Sequence, residues 1–486
     1  MQNKLINIAF RWSSTVLLLS LVFLLVACKK YLEPEFKTQI LTSDIFANDQ
    51  NAQSAINGLY INMATVYSSF NVNVTRLGGF ASDELTYLNQ SDFDNQFMNN
   101  QINTTNSSVK SFWDDFYKII YQCNSIIENS KASTGMSPSY KKQIIGEAMF
   151  FRAFSHFYLV NFFGPVPAIT STDKNITAYL PRTSVDSVYT QIKTDLIGAM
   201  DSLRADYSIS GGNRVRANKW AAAALLARVY LYQKDWADAE ATSSALLGNA
   251  LYSLLPAGSI KMVFKKNQTE SILEWVNDAR GNTTEGNMFV GDYASYINDP
   301  ILAPIAGLFL YYFLQPNLIN SFEPKDQRLA NWVIITSTGK GAPYKYRRQF
   351  GLADSLNDEH YSVLRLAEQY LIRAEARAQQ GNFNGAQSDI NVIRNRAGLP
   401  DAVVVDKISA MTAIEQERRV ELFCEWAHRW FDLKRWPSLV AADKTRADDV
   451  LSLIKPGWKS TNILLPIPQA DRRNNTNLTQ NPGYPQ

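Results

Sequence analysis

The residues best able to do chemistry in this chain are few and scattered. Its three histidines, His156, His360 and His428, are far apart, and none has another histidine within ligand spacing. His156 falls in an apolar helical stretch, where a hydrogen-bonded core imidazole is the expected role. No HExxH, GxSxG, phosphate-cradling P-loop or cysteine–histidine cluster occurs. The nearest approach to a catalytic constellation is Glu417, Glu421 and Glu425, because glycoside hydrolysis uses a pair of carboxylates. These three stack one turn apart on a helix that also carries Arg418, Arg429 and Arg435. Ion pairing is therefore their expected role, and the same holds for Glu368, Arg373, Glu375 and Arg377. The sequence thus reads as having no catalytic residue, no metal site and no cofactor.

A binder of sugars or peptides needs less: exposed aromatic faces flanked by amides and charges. Aromatic residues make up 12% of the chain, enough to supply such faces as well as a core. Two regions have the ingredients. Residues 89–108, NQSDFDNQFMNNQINTTNSS, read as an exposed amide-rich loop that offers Phe93 and Phe97, with Tyr87 just upstream. The second region offers Tyr293, Tyr296 and Trp332 among Gly, Asn and Pro. These six are the candidate ligand contacts.

Of the three cysteines, Cys123 and Cys424 lie inside apolar helical patterns. Buried thiols are the expected state, and the spacing leaves a disulfide between them open. Cys28 is different. Lys4 and Arg11 precede the apolar run STVLLLSLVFLLVA, which ends at Cys28. A charged start, a short apolar stretch and small residues before a cysteine describe a secretory leader with a lipobox, LVAC. The run is too short to span a bilayer as a permanent helix, whereas several acyl chains on Cys28 would anchor the chain firmly. The other long apolar run, ILAPIAGLFLYYFL, is interrupted by Pro304 and Gly307. Residues 1–27 read as signal peptide and 28–43 as a lipid-anchored tether, at most roughly 50 Å when fully extended. Losing Lys4 and Arg11 brings the formal charge from +3 to +1. So balanced a surface gives no reason to expect nucleic acid.

The elements that must position the candidate residues are mostly helical. SFWDDFYKIIYQCNSIIE (111–128) repeats apolar residues at helical spacing. Ser137-Pro138 opens a further helix, apolar all round, that stops at Gly164-Pro165. Two segments share one helix–turn–helix spacing: Ala227, Trp236 and Ala239 recur as Ala374, Phe383 and Ala386. That is a tetratricopeptide pattern, in which small residues let paired helices approach and an aromatic fills the gap. Helices 138–163 and 185–203 form a looser unit of the same kind. Residues 255–350, with short runs such as SILEWV and NWVIIT, read as an irregular α/β lobe. A late helix is expected to open at Thr412, with Glu415 completing a capping box, and to run on through AIEQERRVELFCEWAHRWFDLKRW. The fold class is therefore mainly α, with tetratricopeptide-like repeats and a smaller irregular lobe.

The motifs in order resemble one family. The lipobox followed by KKYLEPE, RAFSHFYLVNFFGPVP, ALLARVYLYQKDWADA, AEQYLIRAEARAQQGN with INVIRNRAGL, ERRVELFCEWAHRWFDLKRW and LLPIPQADRRNNTNLTQNPGY are similar to SusD/RagB proteins over nearly the whole chain. One departure is Ala427, where the longer form of the late-helix motif usually has Gly. The resemblance implies a cell-surface lipoprotein of the outer membrane that captures oligosaccharide, or oligopeptide as RagB-like members do. It implies delivery to a SusC-like TonB-dependent transporter, which performs the import. It also implies an N-terminal SusD-like helical region over 44–254 and a C-terminal SusD/RagB region over 255–486, packed as one body. Within the latter, the irregular lobe is 255–350 and the repeat with the C-terminal helix is 360–486. A helical-repeat scaffold that binds only protein is the alternative.

Because only a thiol can accept the diacylglycerol, Cys28→Ala should abolish incorporation of labelled fatty acid. Equal labelling of wild type and variant would remove the lipobox reading.

Overall fold

Several helix ends in this protein fall where a side chain or a glycine satisfies the free backbone groups. The computed structural model describes residues 42–65, 69–89, 91–276, 283–347 and 359–485. The leader, Cys28 and the tether as far as residue 41 lie outside them. One helical turn, Thr42–Ile45, closes an N-terminal unit, and a second unit runs from Phe46 to Gln486.

In the second unit the first helices are α1 (Asp49–Ala64), α2 (Val74–Ala81), α3 (Asp92–Met98), α4 (Ser107–Ala132) and α5 (Pro138–Phe163). Asn106 caps α4 by accepting from the Ser108 and Val109 amides. Ser137 caps α5, Pro138 occupies its first turn, and Gly164 ends it at φ +71°. Apolar on every side, α5 runs through the core between α4 and α6 (Val185–Ser202). Its Phe154 and Tyr158 rings meet Trp426 at 5.4 and 5.8 Å. His156 is in the core as expected, but among the described residues neither ring nitrogen has a hydrogen-bond partner, and burial, then Arg152, push its pKa down to about 3. Cys123 and Cys424 are both buried and unpaired.

The repeats are present as helix pairs: α7 (Lys219–Gln233) with α8 (Trp236–Leu247), and α9 (Leu366–Gln379) with α10 (Phe383–Arg396). Ala227, Ala239, Ala374 and Ala386 are fully buried, so methyl-sized side chains set the approach. Trp236 and Phe383 open their helices and are only partly buried. The aromatic gap-filling expected of Trp236 therefore does not occur. The strands form three antiparallel two-stranded ribbons. β1 (Leu85–Tyr87) pairs with β3 (Tyr312–Leu314), β2 (Ser271–Trp275) with β6 (Tyr361–Arg365), and β4 (Val333–Ile335) with β5 (Gly341–Pro343). Residues 92–98 are helical, not loop: Asp92 and Asp94 lie in the first turn, and Asp94 and Phe97 are the buried positions.

The late helix also departs from expectation. It begins at Lys407, where Asp406 and Ser409 form the capping box, and Thr412 lies inside it. It ends at Glu421, and the chain resumes as α12 (His428–Arg435) after α11 (Lys407–Glu421). Between them Cys424, Trp426 and Ala427 take φ of +50°, +47° and +60°. Left-handed backbone favours glycine, which explains why Gly is usual where this chain has Ala427. The reversal lets Trp426 enter the core and donate to the Ser362 carbonyl at 2.8 Å.

Glu417, Glu421 and Glu425 are ion-paired, as expected, but not with Arg418, Arg429 or Arg435. Glu417 meets Arg328 at 2.8 Å and Arg394 at 2.8 Å. Glu421 meets Arg365 at 2.6 Å, Arg328 at 3.3 Å and Arg396. Glu425 meets Arg365 at 2.7 Å and Lys345 at 2.5 Å. Burial would raise the Glu421 pKa, yet Arg396, Arg365 and Arg328 together hold it well below the usual carboxylate range.

The 422–427 turn packs on Gly78 of α2, where an added Cβ would stand 2.3 Å from the Ala427 Cβ. Gly78→Ala should lower unfolding free energy by about 1–3 kcal/mol in urea titrations. Adding Ala427→Gly should restore part of it. Strict additivity of the two would mean the contact is not the cause.

Candidate ligand-binding face

The two candidate regions come together through one ribbon. Pairing of β1 with β3 sets Tyr87 opposite Tyr312, and the Leu88 amide donates to the Tyr311 carbonyl at 2.9 Å. The Tyr87 and Tyr312 rings stack at 4.5 Å with 25° between their planes. Phe80 lies beneath, 6.2 Å from Tyr312 and nearly parallel to it, and Phe289 closes one side at 5.2 Å. Arg76 sits 5.8 Å from the Phe80 ring and pairs with Asp94 at 2.7 Å. Tyr87 is half-buried, and its hydroxyl has no hydrogen-bond partner among the described residues. Beside it Phe93 is 45% and Tyr311 43% exposed. A half-buried ring with a free hydroxyl, backed by the buried Tyr312 ring, suits the apolar face and hydroxyls of a sugar.

Ribbon β4–β5 continues the face. Leu310, Phe313, Ile334 and Ala342 form its small core, with Tyr293 and Tyr344 packed at the margin. Tyr293 meets Tyr344 edge-on at 6.3 Å, and Arg347 lies 4.8 Å from the Tyr344 ring. Tyr296 is turned to Phe309, 4.5 Å away.

Two candidates are corrected. Phe97 is fully buried on the inner side of α3, and Trp332 is 1% exposed. The Trp332 indole donates to the Ile260 carbonyl at 3.1 Å and packs edge-on against Phe264 at 5.5 Å. Lys345 lies 5.0 Å from its ring. Both are buried core residues rather than exposed faces. The loop amides also have structural work. Asn106 donates to the Phe93 carbonyl and to Gln96, and Asn100 donates to the Ala81 carbonyl while accepting from Lys455. Tyr311 and Tyr312 were missed because ILAPIAGLFLYYFL reads as an apolar run. Its paired tyrosines, polar-tipped rings at the run's end, are the available signal.

Below the platform, Glu285 is buried and accepts from the Tyr361 hydroxyl at 2.7 Å. Among the described residues no group of three or more His, Cys, Asp or Glu could hold a metal, and no helix is long and apolar enough to cross a membrane.

Helix pairs joined to a lobe of short ribbons define the class, a helical-repeat protein with an aromatic-bearing strand lobe. Within that class the chain belongs to the SusD/RagB family. Residues 30–231 match the family model described as starch-binding associating with outer membrane, and residues 334–484 match that of the SusD family. A SusD-like protein of Formosa agariphila is 25% identical over 478 residues, spanning 86% of this chain and 89% of its own. The starch-binding protein SusD of Bacteroides thetaiotaomicron is 35% identical over 134 residues, 26% of this chain and 22% of its own. A solved laminarin-binding SusD-like protein superposes with a TM-score of 0.74 at 25% identity, covering 90% of this chain and all of that one.

Burial, opposed by hydrogen bonds from Thr75 and Tyr361, raises the Glu285 pKa from 4.5 to about 8. The folded state therefore keeps a proton that the unfolded chain releases. Stability should fall as pH rises from 4.5 to about 8 and then level off. Glu285→Gln should remove that fall and match wild type near pH 4. Parallel pH profiles of melting temperature would show Glu285 ionised throughout.

Proposed function

We propose that the protein is a lipid-anchored receptor on the outer membrane, held through Cys28, that binds oligosaccharide. The observation that carries this reading is Tyr87, half-buried on the lobe and stacked on buried Tyr312, its hydroxyl without a partner among the described residues. It is supported by the starch-binding description of the matching family model and by the laminarin-binding relative. The receptor hands its cargo to a SusC-like TonB-dependent transporter and performs no chemistry. The carboxylates that come nearest to a glycosidase pair, Glu417, Glu421 and Glu425, are buried and each bound by cations. Buried and held by cations, none of them is placed to reach a glycosidic oxygen. Tyr293 and Tyr296 extend the same face, while oligopeptide is the competing cargo.

Calorimetry of the purified Cys28→Ala protein against glycans and peptides, with product analysis, tests the reading. A glucan should bind at about micromolar affinity and be recovered intact. Tyr87→Ala with Phe93→Ala should weaken binding roughly tenfold, the loss of one or two stacking contacts, with little change in melting temperature. Binding of peptides alone would replace the cargo, turnover would make the protein a hydrolase, and full affinity in the double variant would remove this face.

A further inference from the structure

A second concave surface lies on elements that contribute nothing to the aromatic face. Helices α7, α8, α9, α11 and α12 enclose a groove of about 520 Å³. Its apolar walls come from Leu231, Trp236, Ile408, Met411, Trp436 and Leu439. Ile408 is 76% and Leu439 72% exposed, and Val440, next to Leu439, is more exposed still. Large aliphatic side chains left in water around one concavity are the mark of an interaction site. This one is built by paired helices, whose arrangement produces concave binding surfaces.

The charges around the groove say what fits it. Glu375 is taken up by Arg435 at 2.5 Å and by the Trp436 indole at 2.9 Å. Glu415 is shared between Arg429 and Arg446, each at 3.1 Å. Both acids of the groove are therefore neutralised. Lys234, at the α7–α8 turn, and Lys407, the first residue of α11, are exposed and have no carboxylate within ion-pair distance among the described residues. The rim is thus net positive over an apolar floor. A basic segment would be repelled, and a neutral acyl chain would leave both lysines unused.

We propose that this groove docks an amphipathic peptide segment of a partner protein, with aliphatic or aromatic anchors in the groove and acidic residues against Lys234 and Lys407. The site is independent of the glycan reading, since its variants leave the lobe untouched. Such segments typically present anchors at i, i+3 and i+4 along one face. Trp236 lines the groove and is partly exposed, so its fluorescence reports occupancy directly.

The test uses purified Cys28→Ala protein and three tryptophan-free probes: a peptide with a Leu/Phe core and Asp/Glu flanks, the same core with Lys flanks, and dodecanoate. The acid-flanked peptide should change tryptophan emission saturably and bind at least about fivefold tighter than the Lys-flanked one. Its affinity should fall several-fold between 50 and 500 mM salt, as exposed charge pairs are screened. Lys234→Glu with Lys407→Glu should reverse the peptide preference, while Met411→Arg should block both peptides. The exposed lysine variants should keep the wild-type melting temperature and glycan affinity. Equal binding of the two peptides, binding of dodecanoate in preference to either, or no saturable change with any probe would each overturn the proposal.

Discussion

The buried ion network centred on Glu421 is the constraint on which the rest of this structure depends. Arg365 from β6, Arg396 from α10 and Arg328 from the lobe converge on that one carboxylate, and Glu270, which directly precedes β2, joins Arg365 at 3.1 Å and Arg396 at 2.6 Å. Taking so many charges from water costs several kcal/mol per ion, and only simultaneous pairing offsets it. The network is complete only when ribbon β2–β6, the second helix pair and α11 are all in place. The network therefore acts as a register, and removing one partner would leave others buried and unpaired.

That register reaches the candidate site through two short links. The end of α11 at Glu421 is followed by left-handed residues that turn the chain onto Gly78 of α2. From α11 and α12, Arg419 and Arg429 then grip Asp83, each at 2.7 Å, and the Glu84 carbonyl accepts from Gln315 at 2.8 Å. Asp83 and Glu84 directly precede β1, so the strand that carries Tyr87 is held from both sides. A platform built on rigid elements loses little entropy when it takes a ligand. The groove between the helix pairs draws on the same helices from their other surfaces, so one core supports both the aromatic face and the groove.

Much of the fold is legible in local sequence because its causes are local. The Ser137 and Gly164 helix ends, the apolar spacing of residues 111–128, and the Ala227/Ala239 and Ala374/Ala386 offsets all act within one or two turns of backbone. Family resemblance carried the same elements in the same order. The carboxylate ladder was legible only in kind. Helical spacing put Arg418, Arg429 and Arg435 nearby, but Asp83, Glu375 and Asp432 took those cations.

By itself the sequence determined the helix pairs, the family and the absence of a recognisable catalytic motif. Tertiary structure alone decided which aromatics face water. Tyr87 and Phe97 stand in equally polar surroundings along the chain, yet Tyr87 stacks on Tyr312 at the surface and Phe97 is fully buried. It also decided that the late helix breaks after Glu421, where the pull of three arginines and the fit of Trp426 into the core outweigh the cost of left-handed backbone. The physical reason is common to both. Burial and charge pairing depend on residues hundreds of positions away, and local periodicity holds no information about them.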